Sequence, residues 1–123
     1  MPLAEKTFEN KVKKFLKSKG AWYVKYFANA YTPSGIPDIL VCLNGYFIAI
    51  EVKAENGRVS ELQKYNLNKI ARSGGIGIIL YPSGFDNFKN YIEKVILCNT
   101  HIPGLAVLRY ASLNGTVLTF KNR

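Results

Sequence analysis

Residues 38–53 read DILVCLNGYFIAIEVK, and this stretch decides the fold. Two runs rich in β-branched and aromatic residues flank the pair Asn44 and Gly45. An Asn-Gly pair in this setting predicts a β-hairpin with a type I′ turn, because both central residues of that turn need positive φ angles.

The register of this hairpin brings charged side chains together. A two-residue loop pairs Leu43 with Tyr46, and the pairs that follow place Asp38 directly opposite Glu51. Opposed residues share a face with Cβ atoms about 4.5–5.5 Å apart, and Lys53 joins that face two residues later. Opposed carboxylates repel unless a cation compensates, and a hard divalent ion does so more fully than one lysine. The alternative to a metal site is that Asp38 merely ends a loop while Glu51 and Lys53 form an ordinary ion pair at the strand end.

Apart from these charges, both faces of the hairpin are almost wholly apolar. This predicts a central pair of strands that is covered on both sides. Cys42 and Cys98 are expected to be small core residues, since two cysteines provide neither a disulfide framework nor metal-ligand spacing.

Hydrophobic periodicity and turn signals predict the other elements. They are a helix over 7–18, a strand over 22–28, a helix over 60–72, a strand over 76–81, a helix over 85–95 and a second hairpin within 105–120, centred on 114–115. The order is α-β-β-β-α-β-α followed by a C-terminal β-hairpin. An antiparallel hairpin before a strand-helix-strand passage predicts an α/β (α+β) fold with a mixed central sheet flanked by helices.

Composition bounds the possible partners. The chain has 123 residues, 48% of them hydrophobic, and a net charge of +9. This size predicts a single domain over 1–123, and the charge favours a polyanion, above all nucleic acid. No apolar run is long enough to span a bilayer, so we expect an intracellular, cytoplasmic protein without a membrane partner.

Lysines crowd the first helix and the strand after it. The side chains expected at DNA are Lys6, Lys11, Lys13, Lys14, Lys17, Lys25 and Ser34; the alternative for the lysines is a solvated helix face. Glu9 is the acid among them, on the flank of the apolar stripe, where it can face the body of the protein or serve the helix dipole.

Several other residues permit two interpretations. Gln63 can form a capping box with Ser60 or lie beside a functional site. Four aromatic residues after the first helix could stack on unpaired bases, although core packing is their commoner use. They are Tyr23, Tyr26, Phe27 and Tyr31.

The segment from Gly35-Ile-Pro-Asp38 through the hairpin to Glu51-Val-Lys53 resembles the PD-(D/E)xK nuclease motif. The helix opening Ser60-Glu-Leu-Gln63, with a glycine pair before the next strand, most resembles the VRR-NUC branch, the virus-type replication and repair nucleases. Archaeal-type Holliday junction resolvases share much of this pattern. The resemblance covers residues 9–80 and implies a restriction-endonuclease-like fold.

The resemblance implies a role for each matched residue. Asp38, Glu51 and the carbonyl of Val52 would bind the metal, and Lys53 would orient or activate the attacking water. Glu9 would complete the metal site directly or through water. Gln63 would sit beside the site.

The function so implied is a Mg²⁺-dependent, structure-specific endodeoxyribonuclease that cuts branched DNA such as Holliday junctions. Mn²⁺ would also support activity, and no organic cofactor is expected. A homodimer working in DNA recombination or repair, encoded by a virus or mobile element, fits the same resemblance. Alternatives are a flap-directed, end-directed or nicking nuclease of the same fold, and an inert nucleic-acid-binding module.

Overall fold

The computed structural model describes residues 3–98 and 115–122. Its helices are α1 (Leu3–Ser18), α2 (Glu61–Arg72) and α3 (Phe85–Tyr91), and its strands are β1 (Trp22–Lys25), β2 (Ile39–Leu43), β3 (Tyr46–Val52), β4 (Ile76–Leu80) and β5 (Leu118–Phe120). A 3₁₀ turn (Pro82–Gly84) precedes α3, and a π-helical segment (Ile92–Leu97) continues it. Within the described ranges, no helix combines the length and apolar character needed to cross a membrane.

The described strands form one mixed sheet in the order β1-β2-β3-β4-β5. The pairs β1-β2 and β2-β3 are antiparallel, whereas β4 and β5 run parallel to their neighbours. Leu43 pairs with Tyr46 and Ile39 with Ile50, so the predicted hairpin register is confirmed. Asn44 and Gly45 have φ angles of 51° and 81°, as a type I′ turn requires.

Helices cover the two faces of the sheet unequally. On one face, α1 and α3 pack side chains such as Phe8, Leu16 and Phe88 into a continuous core with the sheet. On the other face, α2 lies over β3 and β4. It approaches so closely that a Cβ on Gly77 would stand 2.9 Å from the carbonyl oxygen of Leu67.

The expectation of two fully covered faces is wrong over β2. Cys42 is exposed, and its cross-strand neighbour Phe47 is 45% exposed, because α2 does not extend over this part of the sheet. Cys98 is also exposed, after the π-helical segment, so neither cysteine belongs to the core. The predicted assignment of side chains to the two faces of the hairpin is therefore correct, but α2 covers less of one face than the apolar pattern predicts.

The C-terminal strand extends the sheet. β5 pairs with β4, and Tyr81 donates a hydrogen bond from its N–H to the carbonyl oxygen of Phe120 at 3.0 Å. The first strand of the predicted second hairpin, together with Asn114 of its turn, lies outside the described residues. The mixed α/β architecture and the predicted order of elements as far as β4 and α3 are confirmed.

Candidate active site

The end of the first hairpin holds the Asp38 carboxylate in place. Asp38 directly precedes β2, and its Oδ2 accepts a hydrogen bond from the N–H of Val52 at 2.9 Å. Its own carbonyl oxygen accepts the N–H of Tyr26 at 2.8 Å. The β2-β3 register runs as far as the Ile39–Ile50 pair, and Asp38 and Glu51 are the next residues on the two chain segments.

Glu51 is a buried acid with an unsatisfied oxygen. Only 2% of the residue is exposed, and its Oε1 accepts a hydrogen bond from Gln63 Nε2 at 3.0 Å. Its Oε2 is buried and has no hydrogen-bond partner among the described residues. Burial, and then the nearby Asp38 carboxylate, raises the pKa of Glu51 to about 9, against the opposing effect of Lys53. Without a further cation, burial and the Asp38 carboxylate therefore favour the protonated form of this carboxyl.

Lys53 extends the same face of the hairpin. Its Nζ lies 3.8 Å from Oε1 of Glu51. Its backbone N–H donates to the carbonyl oxygen of Leu80 at 3.0 Å, so the residue follows β3 along the edge shared with β4. Asp38, Glu51 and Lys53 thus come together at one end of the hairpin, as the hairpin register predicts.

Gln63 makes both of the contacts that the sequence offered as alternatives. Its N–H donates to Ser60 Oγ at 3.1 Å, and its Oε1 accepts the N–H of Ser60 at 2.9 Å, which completes a capping box at the start of α2. Its Nε2 still donates to Glu51. Since the two ends of one amide serve the two contacts, the cap fixes the orientation in which Gln63 reaches the site.

Glu9 is buried where α1 faces the sheet, and it is paired with lysine. Lys25 Nζ lies 2.6 Å from Glu9 Oε1 and 3.3 Å from Asp38 Oδ1, and so links the two acids. Lys13 Nζ lies 3.6 Å from Glu9 Oε2. Burial tends to lower the pKa of Lys25, but the hydrogen bond to Glu9 and the Asp38 carboxylate outweigh it, so this pKa is raised.

Two features of the site were not predicted from the sequence. Lys25 was expected among the lysines at DNA, whereas the structure places it between Glu9 and Asp38. Glu5 was not singled out. Partial burial raises its pKa, Lys53 opposes the effect and Asp38 adds to it, so its carboxyl lies within electrostatic range of the site. The available signal was helical spacing, because Glu5 precedes Glu9 by four residues and shares its side of α1.

Most of the other residues expected at DNA are solvent-exposed. They are Lys6, Lys11, Lys14, Lys17 and Ser34. Lys6 also lines an open pocket of about 490 Å³, whose other walls include Glu9, Asp38 and Gln63. A cationic helix face therefore adjoins the acids of the site.

The donor set suits a hard divalent ion. Asp38 and Glu51 provide carboxylate oxygens, one of them the unpartnered Glu51 Oε2, and the Val52 carbonyl is the third oxygen in the predicted set. In residues 3–98 and 115–122, no group of three or more His, Cys, Asp and Glu side chains converges in a way that could hold a metal. Two carboxylates with waters fit Mg²⁺, which usually keeps several waters. Glu9 is held by lysines and does not complete a three-acid cluster.

Comparison with known proteins identifies the family of the chain. A family model described as the VRR-NUC domain matches residues 4–81, which include α1, the hairpin, α2 and β4. No curated protein and no solved structure matches the chain. The matched region contains each of the acids, lysines and amides described above.

Proposed function

Because the chain belongs to the VRR-NUC family, whose domain is a nuclease domain of the PD-(D/E)xK type, we propose that it is a Mg²⁺-dependent endonuclease that cuts branched DNA. The observation that carries the proposal is the cluster of Asp38, Glu51 and Lys53 at one end of the hairpin, with a buried carboxylate oxygen that lacks a partner among the described residues.

Asp38, Glu51 and the Val52 carbonyl would hold the metal ion. When bound, a divalent ion lowers the pKa of a water nucleophile and offsets charge that builds up on the phosphate. The Val52 N–H and the Gln63 amide each hold one carboxylate in place, so little side-chain ordering remains to be done at binding. The all-oxygen donor set favours Mg²⁺, with Mn²⁺ as a second ion that suits the same ligands.

Lys53 would act on the attacking water. Its ammonium group can orient that water, and its Nζ can hold or transfer a proton near the scissile phosphate. The contact of 3.8 Å with Glu51 supports this role, because it keeps Nζ beside the carboxylates. Glu9 would serve as a positioning residue that acts through Lys25.

Binding of DNA would rest on the exposed lysines of α1. Contacts from Lys6, Lys11, Lys14 and Lys17 to phosphates would be salt-sensitive and largely independent of sequence. A domain that binds in this way reads the shape of DNA, which suits a branched substrate. Two symmetric cuts across a junction need two active sites, so we also propose a homodimer, to be tested by sedimentation at several concentrations.

We further propose that residues 1–123 make up one nuclease domain, which acts inside the cell, where its substrate is. Pairing of β5 with β4 supports the single domain, because it joins the end of the chain to the matched region.

The test is cleavage of labelled duplex, nicked, flap, splayed-arm and four-way junction DNA in Mg²⁺, Mn²⁺ or chelator. We expect cutting of the branched substrates with Mg²⁺ and none in chelator. Asp38→Asn and Lys53→Ala should lower the rate by about 100-fold or more while folding and DNA binding persist. Asp86→Asn and Lys64→Ala, which alter an exposed acid and an exposed lysine, are the matched controls.

Full activity of both site variants would refute the assignment of the active site. Chelator-insensitive binding without scission of any substrate would instead favour an inert nucleic-acid-binding module. Cutting confined to flap or nicked DNA would replace the junction with a flap-directed or nicking activity.

A further inference from the structure

The loop between β1 and β2 forms one rim of the site. Residues 26–37 connect Lys25, which contacts Asp38, to Asp38 itself, so both ends of the loop lie at the carboxylates. Tyr26, Phe27 and Gly35 line the same open pocket as Glu9 and Asp38. A DNA strand with its phosphate at the acids would therefore pass this loop.

Two aromatic side chains of the loop lie in solvent. Phe27 is 74% exposed and Tyr31 is 98% exposed, so core packing, the commoner use of such residues, is wrong for both. Tyr23 and Tyr26, by contrast, are half-buried. Phe27 lines the pocket at the acids, and Tyr31 lies four residues further along the same loop. Their exposed rings provide flat apolar faces.

The loop that carries these rings is fixed by its own hydrogen bonds. Tyr26 donates from Oη to the Pro33 carbonyl oxygen at 2.6 Å, and the Tyr31 N–H donates to Asn29 Oδ1 at 2.7 Å. From α2, Asn66 Nδ2 donates to the Gly35 carbonyl oxygen at 3.0 Å. A loop ordered before binding loses less entropy when a ligand stacks on it.

Charge around the rings favours a nucleotide as the occupant. Lys25 Nζ lies 5.9 Å from the Phe27 ring centroid, and Lys6 lines the same pocket. A base stacked on Phe27 would thus have its own phosphates near the exposed Lys6, whereas Lys25 is held by Glu9 and Asp38. An apolar protein segment would gain nothing from these cations.

We propose that Phe27 and Tyr31 form a stacking platform for unpaired nucleobases next to the scissile phosphate. The inference rests on the proposed nuclease function and narrows its substrate class. In a continuous duplex the bases are stacked on each other, whereas a splayed arm, a flap or an opened branch point offers free base faces. The platform gives this chain a preference for DNA with unpaired nucleotides at the cut.

The test is equilibrium binding in chelator, where a metal-dependent nuclease does not cut. One probe is a splayed-arm duplex with 2-aminopurine as the first unpaired base, and the other is a fully paired duplex of the same sequence. Phe27→Leu and Tyr31→Leu remove the rings but keep apolar bulk, and Tyr31→Phe keeps the ring. Trp22→Leu, which alters an exposed aromatic residue at the other end of β1, is the matched control.

Loss of one stacked base should weaken binding of the splayed probe about 5-fold to 100-fold in each leucine variant. The quenching of 2-aminopurine by the protein should fall in parallel. Binding of the duplex should change less than about twofold, and Tyr31→Phe and Trp22→Leu should behave as the wild type. Circular dichroism and melting curves confirm that each variant is folded.

Unchanged binding of the splayed probe by both leucine variants would overturn the proposal, as would an equal loss on both probes. These outcomes do not depend on catalysis. If the leucine variants lose the preference for unpaired DNA but the wild type cuts nothing in Mg²⁺, the stacking platform is supported and the nuclease function is refuted. If the wild type cuts DNA but both leucine variants keep the preference for unpaired DNA, the nuclease function is supported and the stacking platform is refuted.

Discussion

Gln63 donates a hydrogen bond to Glu51 at 3.0 Å with the same side-chain amide that closes the N-terminal cap of α2. The start of a helix and the orientation of a buried carboxylate are therefore set by one residue. The two roles of Gln63 can be separated experimentally, because the other hydrogen bond of the capping box is accepted by Ser60 Oγ.

Gln63→Met and Ser60→Ala should both destabilise the protein, by about 1 kcal/mol, because each breaks the capping box. Only Gln63→Met also removes the donor to Glu51, and it should lower the cleavage rate about 10-fold to 100-fold further. Thermal melting and single-turnover cleavage measure the two effects. An equal loss of activity in Ser60→Ala would mean that Gln63 acts through the helix alone.

The buried carboxyl of Glu51 makes the stability of the metal-free protein depend on pH. Its pKa in the folded state is about 9, above the ordinary value of 4.5, so the folded protein binds more protons than the unfolded protein between these values. Stability therefore falls as pH rises through this window, by up to about 1.4 kcal/mol per unit.

Glu51→Gln should remove that dependence in chelator. The variant should melt at a higher temperature than the wild type, and the difference should grow between pH 6 and pH 8.5. Glu61→Gln, which changes a highly exposed acid, is the control and should show no such trend. A constant difference across this range would show that Glu51 is ionised in the folded protein as it is in the unfolded chain.

Lys25 should contribute more to stability than its neighbour Lys13. Lys25→Met leaves Glu9 buried without its nearest cation, at a cost of roughly 3 kcal/mol. Lys13→Met breaks the longer contact of a more exposed side chain and should cost less than about 1 kcal/mol.

Pairing Lys25→Met with Glu9→Leu should recover most of the lost stability, since replacement of a buried ion pair by apolar residues is often neutral. Urea denaturation measures the stability of Lys25→Met, Lys13→Met, Glu9→Leu and the double variant. If the double variant is as unstable as Lys25→Met, the cost does not arise from the uncompensated charge of Glu9.

Gly84 permits the close packing of the C-terminal strand. A Cβ at this position would collide with the carbonyl carbon and oxygen of Phe120. Gly84→Ala should therefore destabilise the protein by about 1–3 kcal/mol and speed hydrogen exchange of the Tyr81 N–H, which donates to Phe120. Asn87→Ala, an exposed change in α3, should leave both quantities near the wild-type values.

Local signals were sufficient to predict part of the site. The turn at Asn44 and Gly45 fixes the hairpin register up to the Ile39–Ile50 pair, and Asp38 and Glu51 are the next residues on the two chain segments. The position of Lys53 follows from strand alternation. These relations depend on residues close in sequence, where turn geometry leaves one arrangement.

The rest of the site depends on contacts between distant elements. Lys25 reaches Glu9 because β1 packs under α1. Nothing in the sequence around Lys25 distinguishes it from the other lysines of this basic segment. The exposure of Cys42 depends on where α2 ends above the sheet, and that of Phe27 on the path of its loop. No local pattern encodes how far one element covers another.

The carboxylate pair of Asp38 and Glu51 depends on local contacts, whereas the ion pair of Glu9 and Lys25 depends on contacts between distant elements. The two pairs should therefore differ in how readily they open. Asp38 and Glu51 belong to one hairpin, so a transient detachment of α1 would leave them face to face. The same event would separate Glu9 from Lys25, which would keep its contact with Asp38. Partial opening of the protein would thus dismantle the lysine bridge before the carboxylate pair, and native-state hydrogen exchange should find the hairpin amides among the last to open.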